Sequence, residues 1–361
     1  MSTLSAAAIA LVREHAGEAE RRGQLHPEVL ALIYEQQWFR MMVPRSYGGL
    51  ALPLPAVVRL EEAIARVDGS VGWTVTLCSG AGWFAGFFLP GVLDSLFTHP
   101  RMCIAGSGMA AGRAERLAGG GYRVSGQWGY ASGARHATAF TANCVLWADG
   151  APVLAEDGQP LVRPFVFQRE EVRVLDDWKP VGLVATGSDG FVVDGVEVPA
   201  ERAFVIDAAA AADASPLYRY PFLPLAEATL AVNSSGMALH FLDCFEELFS
   251  ARIARGHLSA SATDEVRLVF EQARRELGRV REEFYTALDG SWEFFDASHS
   301  ANGFFDTFHR TSHALAAAAR QWVDRLYPFA GLGAAHIDSE INRVWRDLHT
   351  ASQHPLLAFS L

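Results

Sequence analysis

Along the first hundred residues apolar positions return at intervals of three and four. One run passes through Val29, Leu30, Ile33 and Tyr34 and another through Val57, Val58, Leu60, Ala63 and Ile64, with Glu and Arg on the opposite face. That period gathers the apolar side chains into one stripe and predicts helices from about residue 5 to residue 98. Between them, Val43-Pro44-Arg45-Ser46-Tyr47-Gly48-Gly49-Leu50 joins a proline to a Gly-Gly turn and reads as a connection. After His99-Pro100 the runs shorten and fill with Val, Phe, Tyr and Trp, as in Pro164-Phe165-Val166-Phe167 and Gly190-Phe191-Val192-Val193. Strands with turn signals at close intervals predict a compact β-barrel or sandwich from about 101 to 206. An Ala-rich hinge at 208–213 follows, and helical periodicity then returns, strongest at 225–255, 264–297 and 304–329. The chain therefore reads as α+β, with a helical domain over 1–100, a β domain over 101–207 and a helical bundle over 208–361.

Residues 71–90 carry no charge over 20 positions, the length of a membrane span. Four glycines, several hydroxyls and the absence of a basic flank instead predict a buried helix pair lining an apolar cavity. With 361 residues, half of them apolar, the chain buries a large core in two or three packed domains. The balance of 30 Lys plus Arg against 41 Asp plus Glu is acidic, and lysine is nearly absent. This argues against nucleic acid as a partner, because such binding needs a basic patch. Cys78, Cys103, Cys144 and Cys244 stand far apart in apolar surroundings and read as buried thiols in a reducing compartment. Arg13 and Glu14 interrupt the Ala-rich start before a secretory segment forms, so a cytoplasmic location without membrane attachment is expected.

Gly106-Ser107-Gly108-Met109-Ala110-Ala111-Gly112 has the outline of a dinucleotide fingerprint. That fingerprint works only where a helix N-terminus follows directly, and Gly119-Gly120-Gly121 stops any helix here. The segment reads instead as a glycine-rich loop whose amides can approach a flat ligand.

Several phrases in this helix, sheet, helix order carry a family resemblance. They are His26-Pro27-Glu28-Val29-Leu30, Met42-Val43-Pro44 with Tyr47-Gly48-Gly49, Glu61-Glu62, and Asp68-Gly69-Ser70-Val71-Gly72-Trp73. In the middle third they are Gly126 to His136, Trp178, Gly182, Thr186-Gly187-Ser188 and Val198-Pro199, and near the end Arg346-Asp347 and His354. Together they resemble the acyl-CoA dehydrogenase superfamily across essentially the whole chain, and within it the oxygenase components of flavin-dependent monooxygenases. The resemblance implies an N-terminal helical domain, a middle β domain, a C-terminal four-helix bundle and assembly as a homotetramer. It also implies that Tyr130, Ala131, Ser132 and Gly133 lie against a flavin, with the Ser132 hydroxyl near its N5 edge; Thr186 and Ser188 either reach the flavin or its phosphates or form an ST-turn.

The last loop bears on reaction class. A dehydrogenase of this family carries a glutamate base where this chain has His354-Pro355. Removing an α-proton while hydride leaves to flavin needs that carboxylate. Activating a phenol, amine or thioether beside a flavin hydroperoxide suits a histidine. The expected function is thus the oxygenase component of a two-component monooxygenase. It takes reduced FAD or FMN from a separate flavin reductase and, with molecular oxygen, hydroxylates a small aromatic or hydrophobic substrate, with His354 and Ser132 as catalytic residues. Two alternatives stand beside it: an acyl-CoA dehydrogenase or oxidase with a non-standard base, and a flavin-free binding or assembly protein. The family's adenosine-binding phrase is missing around Arg252, Arg255, Gln272, Arg274 and Arg275, which keeps the last alternative open.

Trp73, Trp83 and His136 are candidate walls of the substrate pocket, with plain core packing as the competing reading. Arg346 and Asp347 are expected to form a local ion pair, and His349 to be structural. His309 and His313 have the spacing of a metal face, but no third ligand is evident in the sequence, so no metal is assigned.

Overall fold

The structure, a computed structural model, describes residues 4–211, 213–298 and 304–358. Five helices come first: α1 (Ala6–Arg22), α2 (Pro27–Glu35), α3 (Leu54–Ala65), α4 (Gly69–Trp83) and α5 (Pro90–Phe97). Their starts obey capping chemistry. The Ser5 hydroxyl accepts from Ala8 N at α1, and Asp68 Oδ1 accepts from Val71 N at 2.9 Å to begin α4. Helix α4 accounts for most of the uncharged stretch and is buried on nearly every side, which removes the need for a polar face. Among the described residues no helix is long and apolar enough to cross a membrane.

Seven strands follow: β1 (Ile104–Arg116), β2 (Tyr122–Trp128), β3 (Ala139–Ala148), β4 (Ala151–Pro152), β5 (Val162–Gln168), β6 (Arg173–Val174) and β7 (Phe191–Val198). They join in one mixed sheet of order β4-β3-β1-β2-β7-β6, with β5 also on β3. The β1–β3 pair is parallel and the others antiparallel. The glycine segment expected as a ligand-facing loop lies inside β1, whose register on β3 shifts between Ser107 and Gly112. Gly106, Ser107 and Gly112 are paired to β3, whereas the exposed Gly108 to Ala111 fall in the irregularity with no strand partner, so the segment is a bulge within a strand and not a separate loop. Trp128, Phe140, Phe165, Phe167 and Phe191 form a core of the sheet's own.

The chain then returns to helices: the short α6 (Pro216–Arg219), α7 (Phe222–Ala254), α8 (Ala260–Ser298), α9 (Phe304–Leu326), α10 (Glu340–Ala351) and the short α11 (Pro355–Ala358). Helices α7 to α10 supply the four long members of the C-terminal helical domain. One continuous apolar core joins them to the N-terminal helices, through residues such as Val58, Val75, Phe241 and Leu348. Helix α4 thus lies between the two helical sets and against the β domain, in position to wall a site at their junction.

Candidate active site

Three residues of α10 hold three consecutive residues of the loop between β6 and β7. Arg346 donates to the Val181 carbonyl at 2.8 Å, Gly182 N donates to Thr350 Oγ1 at 3.0 Å, and Leu183 N donates to Asp347 Oδ1 at 2.5 Å. Contact is close enough to demand glycine: a Cβ on Gly182 would lie 2.1 Å from the Arg346 carbonyl oxygen. Arg346 also pairs with Glu20 of α1 and donates to Asn342. The expected local Arg346–Asp347 ion pair is therefore absent, because successive side chains on a helix point about 100° apart and these two find separate partners. Burial, reinforced by the nearby Asp68, pushes the Asp347 carboxyl up to about 8 against the opposing Leu183 N–H bond.

The clasped loop delivers three hydroxyls to one line. Thr186 Oγ1 donates to the Leu183 carbonyl at 2.7 Å, Ser188 Oγ lies 2.7 Å from Thr186 Oγ1, and Ser132 Oγ lies 2.8 Å from Ser188 Oγ. All three residues are buried. A carbonyl only accepts and each hydroxyl has one proton, so the direction propagates. Thr186 spends its proton on Leu183, Ser188 then donates to Thr186, and Ser132 donates to Ser188. Ser132 is left with lone pairs and no free proton.

Ser132 is set by a second staple. Ala131 N donates to the Asp189 carbonyl at 3.2 Å and Gly133 N to the Thr186 carbonyl at 2.9 Å. The fully buried Asp189 carboxylate accepts from Arg135 Nε at 2.6 Å and from the backbone N–H groups of Asp177 and Trp178. Arg135 also reaches Asp176. This network presents Tyr130 with 68 % of its surface exposed, at φ +65°, beside the edge of Trp178. A tyrosine in left-handed backbone costs on the order of 1–3 kcal/mol, and such strain gathers at functional positions.

Behind the segment, Cys78 of α4 and Cys103 meet His136. Cys78 Sγ lies 3.5 Å from the Ser132 carbonyl. Hydrogen bonding from Cys103 and His136 pulls the Cys78 thiol below its ordinary value, whereas burial pushes Cys103 up. Gly133, at φ +78°, leaves room for this cluster, since a Cβ would sit 2.7 Å from Cys78 Sγ and 3.0 Å from His136 Nε2. His136 stacks on Phe39 of the helical core with ring centroids 5.4 Å apart.

The two tryptophans separate. Trp83 is buried, donates to the Leu217 carbonyl at 2.9 Å and packs on Phe87 and Phe222, so it is core. Trp73 meets His354 edge to face, with centroids 6.0 Å apart. His354 precedes α11, where its Nδ1 accepts from Leu356 N at 3.3 Å, and burial lowers its pKa below the ordinary value of 6.5. His349 bonds the Trp345 carbonyl and Asp324 and holds structure. From Arg346 to Ala358 the only acid is Asp347, whose carboxyl Oδ1 accepts from Leu183 N.

Two elements thus supply the site. Helix α10 clasps the hydroxyl loop and runs on to His354, while α4 carries Trp73 beside His354 and Cys78 behind Ser132. Sequence reasoning missed Arg135, Asp189 and Thr350. Asp189 directly follows the Ser188 that was singled out, but nothing in its spacing signals a partner 54 residues away at Arg135.

Comparison with known proteins agrees with this architecture. Residues 2–85 match the family model of the acyl-CoA dehydrogenase N-terminal domain and residues 228–359 that of the C-terminal domain, together more than half of the chain. The oxygenase subunit HsaA of a flavin-dependent monooxygenase from Rhodococcus jostii is 26% identical over 362 residues, covering 95% of this chain and 91% of that protein. An indole-3-acetate monooxygenase from Pseudomonas putida is 27% identical over 349 residues, covering 96% and 87%. The crystal structure of the HsaA monooxygenase from M. tuberculosis superimposes with a TM-score of 0.87 at 22% identity, covering 97% of this chain and 94% of that one. The matched models, the order of the three domains and the path of the chain have one explanation: this protein belongs to the acyl-CoA dehydrogenase superfamily.

Proposed function

We propose that this protein is the oxygenase component of a two-component flavin-dependent monooxygenase, taking reduced flavin from a separate reductase and hydroxylating a small aromatic or hydrophobic substrate. The observation that carries the reading is the one-way hydroxyl line ending at Ser132. Reduced flavin bears a proton on N5 and oxidised flavin bears a lone pair there, so a serine that only accepts favours the reduced form. Tyr130, Ala131 and Gly133 supply the face around that serine, and Thr186 and Ser188 supply its orientation. Reduced flavin, when bound, supplies the electron pair with which molecular oxygen is activated.

His354 is the residue for the substrate proton. Burial keeps its imidazole neutral at pH 7, and because Nδ1 accepts from Leu356 N the proton sits on Nε2, so His354 takes up a proton from a phenol or related group only where that 3.3 Å backbone bond is given up. Trp73 fixes its ring from the side and gives the substrate an aromatic neighbour. The dehydrogenase alternative requires an ionised carboxylate base, whereas Asp347 is held mainly neutral at pH 7 by burial and bonds Leu183 N through Oδ1. The names of the relatives support the same reading, as one is an oxygenase subunit and the other acts on indole-3-acetate. Family resemblance adds a homotetramer, which light scattering on the purified protein tests.

The deciding experiment is anaerobic titration of the purified protein with reduced FMN and reduced FAD, then mixing with oxygen and a panel of phenols and indoles. Tight binding of reduced flavin and hydroxylated product establish the function and name the flavin. Binding of oxidised FAD with bleaching by an acyl-CoA overturns it in favour of dehydrogenation. Absence of binding by either flavin leaves a protein that keeps the fold without the chemistry.

A further inference from the structure

The geometry points to a site for a first-row divalent cation between α7 and α9, held by Glu227, His309 and His313. The two histidines stand four residues apart on α9, so their rings project from one face, with centroids 4.3 Å apart. The third ligand comes from α7, 82 residues away in sequence from His309. Both carboxylate oxygens of Glu227 lie 2.9 Å from His309 Nδ1, and Oε1 lies 3.7 Å from His313 Nε2. Three ligand atoms, one from each residue, fall within 4.8 Å of one another. Around a tetrahedral zinc ion with bonds of about 2.0–2.1 Å, ligand atoms stand roughly 3.3 Å apart, a value between the two separations seen here.

Hydrogen bonding alone leaves part of this arrangement unexplained. A Glu227–His309 bond accounts for one imidazole, but His313 Nε2 is buried with no hydrogen-bond partner, beyond bonding distance of the same carboxylate. Buried ring nitrogens are normally satisfied. Glu227 is itself buried, and among the described residues its ion-pair partners are these two histidines, with no arginine or lysine. A cation at the centre of the three groups satisfies the orphaned nitrogen and neutralises the carboxylate at once. Two imidazoles and one carboxylate suit Zn²⁺ and its neighbours, and three protein ligands leave a position for water. The histidine side chains remain 32 % and 18 % exposed, which gives the ion a route in.

Two other groupings also hold an orphaned ring nitrogen, His136 Nε2 beside Cys78 and Cys103 and His240 Nδ1 beside Cys244 and Glu340, but neither offers two imidazoles with a carboxylate. His15 and His26 stack face to face at 3.7 Å, and His26 Nδ1 already accepts from Glu28 N. Cys78 and Cys103 are wholly enclosed. The Glu227 site ties the start of α7 to α9 and is independent of the flavin reading, so its role is to lock the C-terminal helices together.

The test uses the full chain without an affinity tag, stripped with chelator and titrated with Zn²⁺ and with Co²⁺ as its spectroscopic substitute. The expected result is one equivalent bound per chain, ligand-field absorption of a tetrahedral nitrogen and oxygen site, and a higher melting temperature with Zn²⁺. His309→Ala and His313→Ala each weaken binding at least about tenfold, and the double variant abolishes the cobalt spectrum. Glu227→Gln sits deeper and risks misfolding, so the partly exposed histidines carry the test, with circular dichroism confirming that their variants fold. No stoichiometric binding to the wild-type chain, or an unchanged cobalt spectrum in the folded double variant, overturns the site.

Discussion

Ser132 and Ser188 share a hydrogen bond of 2.8 Å whose direction is decided two groups away, at the Leu183 carbonyl. Leu183 in turn is held by Asp347 of α10, the helix that leads to His354. Ser132 and His354 are therefore two ends of one supported unit.

Thr186→Val removes the hydroxyl that fixes this direction. Ser188 is then free to donate toward Ser132, and Ser132 regains a proton to offer outward. The expected consequence is a fall of about tenfold, or ~1.4 kcal/mol, in the preference for reduced over oxidised flavin. Anaerobic and aerobic titrations of the same variant measure it; an unchanged ratio removes the hydroxyl line from the argument.

His354→Ala should separate oxygen consumption from hydroxylation. Loss of a proton acceptor costs about 10²–10⁴ in product formation, with reduced-flavin affinity retained and hydrogen peroxide released instead. Because burial lowers the folded pKa below 6.5, wild-type hydroxylation rises through that lowered value and is level above pH 6.5. The same shift has a stability sign. Below 6.5 the unfolded chain binds more protons at this position, so stability from keeping the ring neutral declines as pH falls. Product yield per oxygen consumed, followed across pH in both proteins, checks the assignment.

Asp347→Asn keeps an oxygen for Leu183 N and discards the buried acid. The folded carboxyl titrates at about 8 and the unfolded one at 3.8, so the wild-type fold loses stability as pH rises between them. Glu61, also buried and pushed up to about 8, contributes a similar slope. The variant should gain on wild type by on the order of 1 kcal/mol or more between pH 5 and pH 8. Denaturant melts at the two pH values decide this, and parallel changes in both proteins would count against it. Asp347→Ala, which strands the Leu183 N–H, should destabilise by about 1–3 kcal/mol and weaken flavin binding through the loop.

Trp73 and Trp83 looked equivalent along the chain and should behave differently. Trp83→Phe gives up the bond to the Leu217 carbonyl and part of a buried ring, costing about 1–3 kcal/mol of stability with the substrate KM unchanged. Trp73→Phe, beside His354, should move KM with a smaller effect on melting. If Trp83→Phe moved KM and Trp73→Phe did not, the site would have to be drawn on the other side of α4.

The order of helical and β segments was legible because each depends on periodicity within a dozen residues, and α7, α8 and α9 begin and end within a few residues of their expected runs. Ser132, Thr186 and Ser188, singled out through local phrases that resemble a family, do come together in one hydroxyl line. Partnership was not legible. Arg346 and Asp347 are neighbours in sequence and diverge in space, Cys78 and Cys103 are distant in sequence and meet, and Glu227 completes a histidine pair it gives no sign of joining. Local pattern fixes which face of an element is buried, but the partner of a buried polar group is chosen only when elements pack. A desolvated donor or acceptor must then be satisfied by whatever the fold brings within about 3 Å. The chain's pattern thus determined its elements and the types of residue available for chemistry, and packing decided which of them act together.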